Sequence, residues 1–243
     1  MINIFNVRKK ITVDAFTVNV NAFDLFPIDT ANKFLPNWWK KVPANFFSEL
    51  QSGVSLKRTT IKSCVGFTNL YQEGFIMPLW SDLIVQTQGT NYIYQFADTV
   101  SNIAFHGIEQ IGSEFSNHVH IKIISPWKIR EKSGIKFLYT DPVWTEPSDM
   151  FTQVTPPGLI EYKYQHTTHI NMFLQKGRRY EWSAGRPMAH LIPLTDKRIE
   201  IKTHLVGPNE LMRVLHTGGW PFFTNGYVQT KNAKEGKCPF KNI

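Results

Sequence analysis

The chain has 243 residues, of which 42% are hydrophobic and 14% aromatic, so it can bury a sizeable core and is not a disordered chain. Lys and Arg outnumber Asp and Glu by 27 to 19, but the basic residues are scattered, which favours a solvated basic surface over a nucleic-acid partner. Two cysteines far apart in sequence exclude a disulfide framework and a cysteine-based zinc site, and no apolar run is long enough to span a membrane.

Hydrophobic residues alternate with a period of two along most of the chain, which predicts short β-strands. The clearest runs are residues 11–20, 83–94, 118–124, 135–139, 160–174 and 198–206. Turn residues such as Gly89 and Gly177 separate these runs. Many short strands at this spacing predict a mainly β fold, an antiparallel sandwich or barrel, instead of a repeated strand–helix unit.

Two segments depart from the strand pattern. Residues 30–39 carry apolar side chains at helical spacing and follow Asp29, which can cap a helix. Residues 209–216 form a second, shorter helix candidate led by Pro208. We therefore expect a short helix near each end of the chain.

No linker, internal repeat or low-complexity stretch divides the chain, because its 14 prolines and 15 glycines are spread throughout. We therefore predict a single β-rich domain. Residues 1–60 would form an N-terminal arm with one helix, residues 61–206 the β core, and residues 207–243 a short helix followed by a loose basic tail.

Two histidines raise the question of a metal site. His118 and His120 lie two positions apart on a predicted strand, so both rings point to one face. Residues 112–120 resemble the opening of a cupin metal motif, but the glutamate expected four or five positions later is absent. The histidines that could still converge with them are His166, His169 and His190. The alternative is that a partly exposed strand simply carries histidines, so His118 and His120 remain weak metal candidates.

The common catalytic and cofactor motifs are absent. The sequence contains no Gly-x-Ser-x-Gly, no Walker phosphate loop and no Gly-x-Gly-x-x-Gly. Three carboxylates lie close together beside prolines, which is more typical of a turn than of an acid/base pair. They are Asp141, Glu146 and Asp149. We therefore predict no catalytic residues and no cofactor.

Three motifs within residues 126–194 follow one another in a familiar order. They are Pro-Trp-Lys-Ile at 126–129, Gly-Leu-Ile-Glu-Tyr-Lys-Tyr at 158–164 and Gly-Arg-Pro-Met-Ala-His-Leu-Ile at 185–192. This stretch resembles the core of the trimeric dUTPases and their deaminase relatives. The resemblance implies a β-clip, dUTPase-like core, to which the helical spacing of residues 30–39 adds a short N-terminal helical arm.

The functional residues of that family are only partly matched. Trp127 and Lys128 stand where the family grips phosphate with Arg-Ser, and Glu161 replaces its catalytic-motif aspartate. Tyr164 alone stands at a ligand-stacking position. A catalytic carboxylate tolerates little displacement, so we expect no hydrolysis of dUTP. If a ligand site is retained, the resemblance implies that Lys128, Arg130, Glu161, Tyr164 and Arg186 line it.

A second resemblance covers nearly the whole chain. The motifs are Phe-Leu-Pro-Asn-Trp-Trp-Lys-Lys-Val-Pro at 34–43, Lys-Ser-Cys-Val-Gly-Phe at 62–67 and Gly-Phe-Ile-Met-Pro-Leu-Trp at 74–80. The set is similar to an uncharacterised family encoded by tailed bacteriophages, especially marine ones with contractile tails, and by some bacteria. It implies a phage origin and no particular chemistry.

Trp38 and Trp39 have two interpretations. They can end an amphipathic helix packed on the core, with the following lysines at the helix C-terminus. Alternatively, they form an exposed aromatic anchor at an interface with another subunit.

Such an interface would fit a non-enzymatic virion component or adaptor, located in the virion or the host cytoplasm. The expected partners are other virion or phage proteins, in a homo-oligomer or larger assembly without a membrane. The alternative function is a small-molecule or nucleotide-binding β-clip enzyme with a degenerate site.

Overall fold

The computed structural model describes residues 10–238 except 51, 108–109, 111, 143–144, 150 and 217–225. The first strands are β1 (Ile11–Thr17), β2 (Asp29–Thr30), β3 (Asn45–Glu49), β4 (Ser55–Thr59), β5 (Phe75–Pro78), β6 (Leu83–Gln88), β7 (Asn91–Phe96) and β8 (Ile103–His106). The later strands are β9 (His118–Glu131), β10 (Phe137–Thr140), β11 (Gln153–Val154), β12 (Gly158–Ile160), β13 (Thr167–Gln175), β14 (Arg179–Trp182), β15 (Pro187–Pro193) and β16 (Ile199–Leu205). The α-helices are α1 (Val20–Asp24), α2 (Asn37–Lys41), α3 (Val65–Leu70), α4 (Pro208–His216) and α5 (Gly226–Lys234).

The largest sheet has the strand order β11-β13-β9-β1-β16, and β8 also pairs with β9. Its central strand, β9, alternates strictly between buried and half-buried residues over 14 positions. Odd-numbered residues such as Ile121, Ile123 and Ile129 point into the core, and even-numbered residues form the outer face. The face that β9 turns outward therefore carries His118, His120, Lys122, Lys128 and Arg130 in one row.

Two further sheets complete the core. One has the order β12-β10-β15-β5-β2, and the other has the order β14-β6-β7. Side chains from all three sheets join in one buried cluster that includes Trp80, Trp127 and Tyr162. Burying a large apolar side chain contributes roughly 1.5–3 kcal/mol, so this shared cluster is what holds the sheets together.

The mainly β fold with antiparallel sheets is confirmed, with three differences of detail. None of the four sheets closes into a barrel within the described residues. β16 pairs parallel with β1, Ile11 opposite Ile199, where only antiparallel pairs were expected. The predicted strand over residues 160–174 is wrong as one element, because hydrogen-bonded turns at Tyr164 separate β12 from β13.

The helix predictions meet mixed outcomes. The C-terminal helix is confirmed as α4. The single helix over residues 30–39 is wrong: a 3₁₀ turn (Ala31–Phe34) is followed by α2, with Leu35 and Pro36 extended between them. Proline disfavours helical geometry in the residue before it, which explains the break. The loose basic tail is also wrong in part, because it contains α5.

The N-terminal segment is more central than a peripheral arm. β1 lies inside the largest sheet between β9 and β16. Its residues Val13 and Ala15 are fully buried.

Both cysteines, Cys64 and Cys238, are free and exposed. No helix among the described residues is long and apolar enough to cross a membrane.

Candidate functional site

The hairpin of β3 and β4 stands apart from the three core sheets. Its strands form a two-stranded sheet that pairs with no third strand among the described residues. Phe46 lies opposite Arg58, and Ser48 lies opposite Leu56. The pairing continues to Leu50, whose amide donates to the Val54 carbonyl at 2.9 Å. We call this segment, residues 45–59, the hairpin arm.

The register sorts the side chains of the hairpin arm onto two faces. Side chains alternate along each strand, so the even-numbered residues share one face. That face carries Phe46, Leu50, Val54 and Leu56, which are 45%, 43%, 52% and 38% exposed. The opposite face is polar except for Phe47. The same face also carries Ser48 and Arg58, so the hairpin arm presents to solvent an apolar row of four side chains that is interrupted by these two polar residues.

A small aromatic cluster lies at the base of the hairpin arm, separate from the main core. Trp39, Phe67 and Tyr71 are buried, and Trp38 packs against them. The Trp39 ring stacks on Phe67 with the centroids 4.7 Å apart. Burial raises the pKa of Tyr71 to about 12. The two tryptophans singled out from the sequence thus pack against Phe67 of α3, Trp39 at a buried position and Trp38 at a half-buried one.

Hydrogen bonds fix the two ends of the hairpin arm to each other. The Thr60 hydroxyl donates to the Pro43 carbonyl at 2.7 Å, and the Thr60 amide donates to the Ala44 carbonyl at 3.2 Å. The Lys62 ammonium donates to the Lys40 carbonyl at 3.3 Å. The hairpin arm therefore projects from a closed base and is not an open loop.

The hairpin arm and its base are strongly basic. Residues 38–65 contain five cationic side chains and one carboxylate, Glu49, a net charge of +4. The cations are Lys40, Lys41, Lys57, Arg58 and Lys62. An apolar row flanked by cations is suited to a protein surface that is apolar with acidic residues around it.

Two of the predicted ligand residues are engaged by α5. The Glu161 carboxylate accepts from the Tyr227 hydroxyl at 3.0 Å and from the Lys231 ammonium at 2.7 Å. Tyr164 is buried, and its hydroxyl donates to Glu235 at 3.0 Å. Glu161 and Tyr164, which the dUTPase resemblance assigned to a ligand, therefore hold a segment of the same chain.

The other predicted ligand residues lie in different surroundings. Lys128 and Arg130 are on the outer face of β9, where Arg130 is 3.9 Å from Asp14. Arg186 follows the turn between β14 and β15, with its guanidinium 5.8 Å above the Trp182 ring. There it lines a shallow cavity of about 170 Å³. A larger cleft of about 630 Å³ beside Gly74 contains none of the five predicted residues.

The histidines do not converge as a metal site. Within the described residues, no group of three metal-binding side chains comes together. His120 instead stacks on Phe173 at 4.8 Å and lies 4.6 Å from the His106 ring. His166 and His190 contact backbone carbonyl oxygens, which gives them structural roles.

Two carboxylates near one another in sequence have structural roles. Asp141, one of the three clustered carboxylates, accepts a hydrogen bond from the Thr155 amide at 2.6 Å and so ties two loops together, whereas Glu146 is exposed. Glu131, which is not part of that group, is buried and accepts from the Ser133, Gly134 and Ile135 amides. Backbone amides satisfy these carboxylates, so neither is arranged as an acid/base pair.

The apolar row of the hairpin arm escaped the sequence analysis. Its signal was available: apolar residues at even positions on both sides of Gly53, which adopts a positive φ of 74° in the turn.

In comparisons with known proteins, no family model and no curated protein matches this chain. The assignment of function therefore rests on the geometry of the described residues.

Proposed function

We propose that this protein is a non-enzymatic subunit of a larger protein assembly and that the hairpin arm binds a neighbouring subunit. The observation that carries the proposal is the apolar row of Phe46, Leu50, Val54 and Leu56 on a hairpin that pairs with no third strand in the described part of the chain. Exposed apolar rows of this kind are characteristic of interaction sites.

Energetics favour an occupant for the hairpin arm. A two-stranded hairpin alone is at best marginally stable in water. Covering the four apolar side chains would recover up to about 1.5–3 kcal/mol for each one that becomes fully buried. Each strand also has one unpaired edge within the described residues, which a partner strand could extend.

The positive charge of the hairpin arm and its base favours one kind of partner over another. With a net charge of +4 over residues 38–65, two hairpin arms of identical chains would repel each other if placed face to face. A partner with an apolar groove and acidic residues around it would attract the hairpin arm. We therefore favour a different protein over a second copy of this chain as its occupant.

The resemblance to phage proteins supplies the narrower setting. On that resemblance, the assembly would be a virion of a tailed phage or an intermediate in the host cytoplasm. The dUTPase-like β-clip core belongs to the same proposal, as the scaffold that carries the hairpin arm. The engagement of Glu161 and Tyr164 by α5 supports a scaffold role for this region and disfavours the nucleotide-binding alternative.

The experiment measures incorporation into assembled particles. Phe46→Ser/Leu56→Ser removes the half of the apolar row that lies nearest the base, whereas Phe47→Ser, on the opposite face, is the matched control. Mass spectrometry of purified particles should find the wild type and Phe47→Ser at the same fixed stoichiometry. The double variant should be depleted at least tenfold, with a melting temperature close to that of the wild type because its side chains are exposed.

Two outcomes would contradict the proposal. The first is absence of the wild-type protein from particles, and the second is equal incorporation of the double variant. Light scattering on the isolated chain then tests whether a second copy of the chain occupies the hairpin arm. A dimer that the double variant abolishes would identify a second copy of the chain as the partner.

A further inference from the structure

β7 forms one edge of the sheet that has the order β14-β6-β7. It pairs with β6 along its whole length and, within the described residues, with no strand on its other side. Proteins usually protect edge strands against pairing with other chains by charged side chains, prolines, bulges or short length. A long edge strand that lacks these features is therefore a candidate interface.

β7 lacks all of these protective features. Its six residues, Asn-Tyr-Ile-Tyr-Gln-Phe, include no charged residue and no proline, and its pairing with β6 runs without a bulge. Ile93 at its centre is 62% exposed. In the described part of the chain, every other edge strand of more than four residues carries charges. These are Glu200 and Lys202 on β16, Glu49 on β3, and Lys57 and Arg58 on β4.

The hydrogen-bond pattern determines which backbone groups of β7 point outward. The amide of Ala97, just beyond the strand, donates to the Asp82 carbonyl at 2.9 Å. Backbone groups alternate in direction along an antiparallel strand, so those of Ile93 and Gln95 face β6 as the Ala97 amide does. The amide and carbonyl of Tyr94 then face the open side. Tyr94 is therefore at the centre of the edge that a further strand would meet.

We propose that β7 pairs with β7 of a second copy of this chain, antiparallel and about a two-fold axis at Tyr94. The two three-stranded sheets then form one sheet of six strands. In this register the Tyr94 backbones of the two copies bond to each other, and Ile93 of each copy lies opposite Gln95 of the other. Each β7 has one open edge, so two-fold pairing uses both edges and closes the assembly at a dimer. The interface is separate from the hairpin arm.

The charges at the two ends of this sheet favour a second copy in the antiparallel direction. Thr87, near the start of β7, bonds to the Gln175–Arg178 turn, which carries the cationic Lys176 and Arg178. Asp82 and Asp98 lie at the opposite end, where β6 begins and β7 ends. An antiparallel pair places the basic end of each sheet beside the acidic end of the other, whereas a parallel pair would bring like charges together.

A single pair of strands makes a small interface. We expect six residues from each chain to bury less than the roughly 1,200 Å² of total surface that is typical of a stable complex. The dimer should therefore be weak, with a Kd in the micromolar range. Charge at the two ends sets the direction of pairing, and the backbone hydrogen bonds and apolar contacts of β7 supply the affinity.

The first test is analytical ultracentrifugation of the full chain at micromolar to millimolar concentrations, which should show a monomer–dimer equilibrium. Ile93→Lys should weaken dimerisation about tenfold or more, because a lysine on an edge strand opposes pairing. Leu159→Lys is the matched control and should dimerise as the wild type does. Leu159 is 63% exposed on β12, the edge of another sheet, so the control adds the same charge at an equally exposed position.

Cysteine cross-linking tests the register, in a Cys64→Ser/Cys238→Ser background. Tyr94→Cys should form a disulfide-linked dimer, because directly opposite, hydrogen-bonded residues have Cα atoms about 5.5 Å apart. Ile93→Cys should cross-link much less, although Ile93 is more exposed than Tyr94. Its two copies lie diagonally across the two-fold axis, at about 7–8 Å.

Three results would overturn the proposal. A monomer at all concentrations would exclude the interface. Equal dimerisation of Ile93→Lys and the wild type, or a dimer lost instead in Phe46→Ser/Leu56→Ser, would place the contact elsewhere on the chain. Stronger cross-linking through Ile93→Cys than through Tyr94→Cys would contradict the two-fold antiparallel register.

Discussion

The Glu161 carboxylate accepts a hydrogen bond from the Lys231 ammonium at 2.7 Å, across 70 residues of chain. Glu161 is only 12% exposed in its side chain, and Lys231 is 31% exposed. The hydrogen bond to Glu161 raises the pKa of Lys231. Because α5 has few apolar residues, this pair and the contacts around Tyr164 carry much of its attachment to the core.

Glu161→Gln should therefore loosen α5. The substitution keeps the side-chain shape but leaves the Lys231 charge without its partner. We expect backbone amides in residues 226–234 to exchange with solvent about tenfold faster, measured by hydrogen–deuterium exchange. Glu181→Gln is the control, because Glu181 pairs with Arg179 at 2.6 Å in an exposed position. Equal protection of α5 in both variants would show that the pair does not hold the helix.

Gly74→Ala should be one of the most destabilising single substitutions in this protein. Gly74 adopts a φ of 75°, and a Cβ there would overlap the Leu191 carbonyl oxygen on β15. The backbone cannot move away easily because β5 and β15 are paired strands. We expect a loss of roughly 3 kcal/mol or more in the free energy of unfolding.

The matched control is Gly177→Ala. Gly177 has a similar φ of 70°, but nothing lies within 4 Å of a Cβ at that position. Gly177→Ala should lower the free energy of unfolding by only about 1–2 kcal/mol, because the alanine must adopt a left-handed backbone conformation but meets no steric overlap. Urea denaturation of the two variants measures the difference. Equal losses would mean that close packing at Gly74 contributes nothing.

Acidification should destabilise the fold below neutral pH. The pKa values of His120 and His169 are about 4 in the folded protein and about 6.5 in the unfolded chain. Between these values the unfolded chain binds more protons, so the free energy of unfolding falls as pH falls from about 6.5 to about 4. After allowing for partial solvent exposure, the two rings together contribute roughly 1–2 kcal/mol.

Urea denaturation at pH 7.0 and 4.5 measures this loss. The double variant His120→Gln/His169→Gln should lose less stability over the same interval, because glutamine does not titrate. The comparison removes the contribution of carboxylates, which titrate in both proteins. An identical pH dependence in the two proteins would contradict the assignment to these rings.

Trp39→Ala should unfold the base of the hairpin arm without unfolding the main core. Trp39 is 8% exposed and belongs to a cluster separate from the core of the three sheets. Removing a buried tryptophan costs about 3–5 kcal/mol, and here the loss should be local. Hydrogen exchange should rise in residues 37–71 while β9 and β13 stay protected. Trp38→Ala, at a half-buried position, should have a clearly smaller effect.

Local sequence patterns were sufficient to predict much of the secondary structure. Alternation along residues 118–124 predicted a strand whose even positions share a face, and β9 has that arrangement over its whole length. Asn209 to His216 formed the helix that their apolar spacing predicted. Local chemistry also explains the error at residues 30–39, where Pro36 overrides helical spacing.

Which distant residues contact each other could not be read from such local patterns and depends on the three-dimensional fold. The parallel pairing of β1 with β16 and the engagement of Glu161 by Lys231 both join residues far apart in sequence. Alternation states which face a side chain occupies but not which strand lies next to it, because pairing partners depend on the packing of the whole core. For the same reason, the sequence indicates the apolar residues of the hairpin arm but not their exposure, which is 45%, 43%, 52% and 38% for Phe46, Leu50, Val54 and Leu56 in the structure.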